Sequence, residues 1–342
     1  MVKTNEKKKS AGADRVETAI FFIGIAVSLL HIYFNIFGIL PGLWQNALHY
    51  SGFALLCALS YPMFGGLREE RSNLTLMVDI CIGLTAAFSA VYLISMEDAI
   101  YDRGVHLATP EWIAGILLVL SALEFTRRTT GWIIPVLIIL ALTYVGWWGG
   151  LLDGVFKFTG LTTETILFRS IYGDDGLFGN IARISSTFVF MFILFGAFLL
   201  RSGAGDFVIN LARAVAGKTV GGPGLVAVFA SGLTGTISGS AVANTASTGV
   251  ITIPLMKKAG FPAKFAAGVE AAASTGGQLM PPIMGAGAFV MASYTQIPYT
   301  TIITVSILPA VLYFATVAFF VRIETKKSKV TFCSHRPIFL RQ

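Results

Sequence analysis

The polar residues of this chain that could do chemistry fall mostly in one short run. Residues 221–254 read GGPGLVAVFASGLTGTISGSAVANTASTGVITIP, and Ser238, Gly239, Ser240, Asn244, Thr245, Ser247 and Thr248 bring hydroxyls, an amide and small side chains with no charge among them. Carbonyls released from a helix, together with hydroxyls, suit a hard monovalent cation, and exposed half-helix amide ends suit an anionic group. A second place follows at Gly276, Gly277, Gln278, Leu279, Met280, Pro281 and Pro282, with Ser274 and Thr275 beside it. Paired prolines remove two amide donors and turn the preceding residues away from helical geometry. The simpler readings are a small-residue packing face for the first run and a plain proline kink for the second. Packing explains the glycine spacing but not the density of hydroxyls. Glu270 is ionisable within the same stretch and is either functional, snorkelling or paired with Lys264, so it stays outside the core site.

The elements that must position these residues form a membrane path. Of 342 residues, 55% are hydrophobic and 13% charged, where a soluble domain carries roughly 25% charged. A cytosolic globular protein is excluded. Apolar blocks run over residues 19–40, 44–64, 74–94, 112–125, 132–148, 187–200 and 301–321, the fourth and sixth being short. About 20 helical residues cross a hydrocarbon layer of ~30 Å. Cations alternate between the blocks: Lys3, Lys7, Lys8, Lys9 and Arg15 come first, none follow Leu40, then come Arg68 and Arg71, a lone Arg103 among acidic residues, and Arg127 with Arg128. The amino terminus and every second loop therefore face the cytoplasm, and residues 149–183 lie outside. The net charge of +7 belongs to this pattern and not to nucleic-acid binding. Cys57, Cys81 and Cys333 are scattered and give no disulfide framework or metal cluster. In residues 205–217, Phe207, Val208, Leu211 and Val215 share one helical face, which fits an interfacial helix or one packed on the bundle.

Lysines flank the first polar run on both sides, Lys218 before it and Lys257, Lys258 and Lys264 after it. The chain must enter and return to the same side, with its turn within residues 238–247. The return arm over residues 248–256 is about nine residues, or roughly 14 Å as a helix, too short to cross. Residues 221–256 are therefore predicted to form a re-entrant hairpin. Irregular backbone at that depth requires a polar cavity. The fold class that follows is all-α, a polytopic membrane protein with a re-entrant helical hairpin and a proline-broken helix.

The runs FVFMFILFGAFLLRSGAGDF at residues 188–207, GTISGSAVANTASTG at 235–249, IPLMKKAGFPAKFAAGVEAAASTGGQLMPP at 253–282 and MGAGAFVMA at 284–292 resemble the fused membrane component of a TRAP transporter of the TAXI-type branch. The likeness is continuous over residues 187–324. It implies the first repeat of an elevator-type ion transporter fold, organised as a cytoplasmic tail (1–18), a four-helix small-subunit-like domain (19–128), the first part of the large subunit (129–324) and a divergent tail (325–342). It also implies sodium-driven uptake of a small organic anion across a bacterial inner membrane, with substrate delivered by a periplasmic TAXI-type solute-binding protein and no cofactor besides the sodium ion. By the same resemblance, Ser238, Gly239, Ser240, Asn244 and Thr245 form part of a sodium site that Gly276 and Gly277 complete. Ser274, Thr275, Gln278, Pro281 and Pro282 would line the substrate cavity. No second hairpin is found, and the tail KVTFCSHRPIFLRQ is unlike the family, so the chain is expected to be truncated after the first half of the large subunit.

Three other readings compete. An intramembrane hydrolase would use Ser238 or Ser240 with a nearby base, yet His31, His49 and His106 lie far upstream and His335 in the tail. A channel also builds filters from midplane hairpins. A non-transporting remnant would insert and move nothing.

Overall fold

Long apolar blocks, few breakers and capped starts give helices throughout the computed structural model, which describes residues 11–38, 40–64 and 72–327, with no strand among them. Lys3, Lys7, Lys8, Lys9, Arg68, Arg71 and the tail with Cys333 and His335 lie outside the described residues. Among the described residues, six helices are long and apolar enough to cross a membrane: Arg15–Phe37, Asn73–Ser95, Thr109–Thr130, Ile133–Leu151, Asn180–Leu199 and Tyr299–Lys327. The two blocks that look short in the sequence are thus full length, because Thr109, Pro110 and Glu111 start one helix early and Arg183 to Ser186 carry the other. The chain divides into two units, residues 1–187 and 188–342.

The first unit contains α1 (Ala11–Phe37), α2 (Gly42–Ser60), α3 (Asn73–Ser95), α4 (Glu97–Asp102), α5 (Thr109–Thr130), α6 (Ile133–Thr143), α7 (Thr163–Tyr172) and α8 (Asn180–Ile184). Ser72 caps α3 by accepting from the Thr75 amide at 3.2 Å, and Thr162 caps α7 in the same way. Lipid offers helices no hydrophobic drive to associate, so close packing of small residues supplies it. Ala47, Ser51, Ala54 and Ala58 on α2 meet Gly83, Ala86 and Ala90 on α3, all buried. A Cβ placed on Gly83 would stand 2.9 Å from that of Ala58, so the approach needs glycine. Small-residue packing, a competing explanation for the polar run, is therefore realised here. Gln45, Asn46 and His49 keep α2 out of the strongly apolar set. At the end of α5, Arg128 is buried 2.7 Å from the carboxylate of Asp79 and also pairs with Glu124. Residues 149–183, expected as an external loop, contain α7 and α8, and Leu167, Ile171 and Phe178 are buried against α3 and α5 residues. The apolar side chains of α7 are too sparse for a span but sufficient for one face of a short helix, whereas α8 opens the span Asn180–Leu199.

The second unit contains α9 (Phe190–Arg201), α10 (Ala204–Ala216), α11 (Gly222–Ser238), α12 (Ala241–Lys258), α13 (Ala263–Gly276), α14 (Ala286–Thr295) and α15 (Tyr299–Lys327). Its core joins Ile209, Ala212 and Ala216 of α10 to Val226 to Val228 of α11, Met256 of α12, Ala266 of α13 and Val321 of α15. Of the four residues expected to share an interfacial face on α10, only Val208 is buried, while Phe207, Leu211 and Val215 are exposed. The stripe splits because α10 packs Ile209, Ala212 and Ala216 against α11 and leaves Phe207, Leu211 and Val215 outward.

Candidate functional site

The hairpin is formed by α11 and α12, joined through two residues. Gly239 takes φ +62°, a left-handed conformation that ends α11, and Ser240 is extended and caps α12 through its hydroxyl, which accepts from the Ala243 amide. Such a tight reversal places Lys218 and the Lys257–Lys258 pair at the same end. The arms hold 17 and 18 residues, about 26 and 27 Å at 1.5 Å per residue. The expectation of a nine-residue return arm is thereby corrected. Thr245 turns its hydroxyl onto the Ala241 carbonyl one turn back and those of Thr248 and Thr252 lie within 3.0 Å of such carbonyls, so these polar side chains are accommodated along α12 and a run that reads as a loop continues as helix.

The break expected after α13 is present over residues 277–285. Tight amide contacts from Gln278 to Thr275 and from Leu279 to Gly276 close α13, and the Pro281–Pro282 peptide is cis. The Gly285 amide donates to the Gln278 carbonyl at 2.8 Å before α14 begins, and the Tyr299 hydroxyl donates to the carbonyls of Pro282 and Ile283.

Break and hairpin meet. A Cβ on Gly235 would lie 2.6 Å from Gly277 Cα, so two backbones touch where α11 and α13 end. The Gln278 amide reaches the Gly239 carbonyl at 3.4 Å, and a Cβ on Gly239 would lie 2.9 Å from the Met284 carbonyl oxygen. Hence the carbonyl ends of α11 and α13 adjoin, as do the amide ends of α12 and α14. The first pair carries partial negative charge and the second partial positive charge.

Asn244 is fully buried, and its Nδ2 donates to the Ser231 carbonyl at 2.7 Å. Its Oδ1 and the Thr234 hydroxyl are buried oxygens with no hydrogen-bond partner. Such atoms are costly to leave unmet. Thr234 was not singled out in the sequence; its place at the Gly235 approach marks it only once the helices are paired.

Ser238, Gly239, Ser240 and Thr245 sit at the tip, partly covered, and Gly276 and Gly277 are buried at the crossing. Thr275, Gln278 and Pro282 are exposed and Pro281 is half-buried, whereas Ser274 turns inward and donates to Glu270 Oε1 at 3.1 Å. Glu270 is fully buried at the centre of α11, α12 and α13, accepting from Ser231, Thr248, Thr252 and Ser274. Of the alternatives named for it, it neither snorkels nor pairs with Lys264, because the three helices enclose it.

The serines of the hydrolase reading contact backbone groups, with Ser238 donating to the Ser240 carbonyl and Ser240 serving as a cap. His31 and His49 instead bond to each other at 2.8 Å in the first unit, where His49 also reaches the Ser185 hydroxyl. His106 faces Glu164. Two cavities of about 550 and 590 Å³ lie in that unit and contain none of the predicted site residues.

A broken helix crossing a hairpin tip within a polytopic helical chain defines a membrane transport protein core. Residues 117–335 match the family model described as Tripartite ATP-independent periplasmic transporter, DctM component, and the chain belongs to that family. It is 32% identical over 165 residues to the C4-dicarboxylate TRAP transporter large permease protein DctM of Rhodobacter capsulatus, covering 48% of this chain and 34% of that protein. It is 33% identical over 91 residues to the 2,3-diketo-L-gulonate TRAP transporter large permease protein YiaN of Escherichia coli, covering 27% and 21%. Against the sialic acid TRAP transporter large permease protein SiaM of Vibrio cholerae it is 28% identical over 159 residues, covering 44% and 37%. The chain thus spans about a third or less of the length of these relatives. The family is a membrane transporter component, which sets the enzyme reading aside.

Proposed function

We propose that this chain provides part of a permease for sodium-coupled uptake of a small organic acid across a bacterial inner membrane, supplied by a periplasmic solute-binding protein of the TAXI type. On this reading residues 19–128 act as a fused small subunit, and the amino terminus faces the cytoplasm. The relatives named for C4-dicarboxylate, diketogulonate and sialic acid support an acidic substrate. So do the adjoining amide ends of α12 and α14, beside which Gln278 is exposed. The TAXI assignment rests on the resemblance of the runs at residues 188–207, 235–249, 253–282 and 284–292.

The observation that carries the ion is the unmet pair of buried oxygens, Asn244 Oδ1 and Thr234 Oγ1, beside the carbonyl ends of α11 and α13. Oxygen-only ligands with no carboxylate in the first contact suit a monovalent cation better than a divalent one. Sodium is cargo, moved with the acid. The test is titration calorimetry of the chain in lipid nanodiscs with NaCl against choline chloride. Heat specific to sodium, weakened at least tenfold by Asn244→Ala, is expected; sodium binding unchanged by that substitution overturns the assignment.

A further inference from the structure

A carboxyl group at 0% exposure among membrane helices is costly to bury, and a core of alanine and leucine would pack three helices without it. Among the described residues Glu270 has no cationic partner; its contacts are hydroxyls. Ser231 Oγ donates to Oε1 at 2.6 Å, Thr248 and Ser274 also donate to Oε1, and Thr252 donates to Oε2. Four hydroxyls from α11, α12 and α13 thus converge on one side chain.

Two of the four lead directly to Asn244. Ser231, whose hydroxyl is held by Glu270, offers its own carbonyl to Asn244 Nδ2 at 2.7 Å. Thr248, also on Glu270, lies 2.8 Å from the Asn244 carbonyl one turn back on α12. A carboxamide is planar, so fixing Nδ2 fixes the direction of Oδ1. That oxygen is left without a protein partner. We propose that Glu270 is a positioning residue: its carboxylate holds Ser231 and Thr248, and through them presents Asn244 Oδ1 to the ion without touching the ion itself.

This inference rests on the sodium reading above, and its test separates the two. The full chain in lipid nanodiscs is titrated with NaCl, and amide hydrogen exchange over residues 240–248 is followed in sodium-free choline buffer. Glu270→Gln replaces one acceptor with an NH₂ that cannot accept, and Ser231→Ala removes the connecting hydroxyl. Both are expected to weaken sodium binding at least tenfold and to speed exchange over 240–248. Thr252→Val removes the Oε2 partner but no link to Asn244, and should weaken binding less than threefold. Loss of protection across α11–α13 with wild-type sodium affinity in Glu270→Gln would show a merely structural clasp and overturn the proposal. Equal damage from Thr252→Val and Ser231→Ala would overturn the path. Should the wild type bind no sodium, the ion reading fails; faster exchange over 240–248 in Glu270→Gln would still support the hold on Asn244, and unchanged exchange would remove that too.

Discussion

Replacing Gly235 with alanine tests the crossing of hairpin and broken helix. Its added Cβ would stand 2.6 Å from Gly277 Cα and 3.0 Å from Asn244 Nδ2, both on parts with little freedom to retreat. Carbon contacts settle near 3.5–4.0 Å, so the two backbones must part by roughly 1 Å. Overpacking of this kind costs about 1–3 kcal/mol, which at a factor of ten per ~1.4 kcal/mol is a roughly 5- to 150-fold rise in exchange through local opening. Gly268 on α13 supplies the control, for nothing lies within 4 Å of its added Cβ and the residue is exposed. Alanine there should gain about 0.5–1 kcal/mol from helix propensity. Hydrogen exchange over residues 222–258 and 263–276, with the chain in nanodiscs, reads both. Opposite signs are expected, with Gly235→Ala faster and Gly268→Ala slower. Equal or slower exchange in Gly235→Ala would refute the close approach of α11 to the break, and with it the joined carbonyl ends.

Two further predictions concern the first unit. Asp79→Asn strips one of two carboxylates from a buried Arg128, whose side chain is 1% exposed and which keeps Glu124 at 2.8 Å, so the cost should stay below the roughly 3–5 kcal/mol of a fully unpaired buried charge. All five tryptophans lie in that unit, so tryptophan fluorescence during thermal unfolding should report a clear loss of stability, and an unchanged midpoint would contradict the pairing. The Leu107 amide, donating to Glu164 at 2.7 Å, holds that carboxyl below the usual carboxylate range, with His106 adding to the effect. A depressed folded-state value stabilises above the ordinary value of about 4.3 and is lost as pH falls through the lowered one. Amide exchange at Leu107, corrected for its intrinsic rate, should therefore quicken on acidification, and Glu164→Gln should abolish that pH dependence.

Much of the helical path was legible because a span requires about 20 apolar residues whatever it packs against. The glycine and double-proline break was legible for a local reason, since two missing amides stop a helix in any context. The return arm was misjudged because Asn, Ser and Thr at high density suggest a loop. In α12 the Thr245 hydroxyl turns onto a carbonyl one turn back while those of Thr248 and Thr252 find the Glu270 carboxyl, and the helix runs on. For the candidate site, the tip and the glycine pair could be named from composition, but the Glu270 cluster could not. The four-residue spacing of Asn244, Thr248 and Thr252, and of Glu270 and Ser274, was present in the sequence. Which helix each row faces is a tertiary fact, and Ser231 and Thr234 carry no mark of their role until α11 is laid against α12 and α13.

The most direct measurement places a single cysteine at Thr245, with Cys57, Cys81 and Cys333 replaced, and follows its reaction with a membrane-impermeant thiol reagent in sodium and in choline. On the proposed sodium site, slow labelling is expected that sodium slows further and choline does not, as the tip would border a water-reached oxygen pocket that the ion fills. Labelling at the rate of a free thiol, indifferent to the cation, would contradict it.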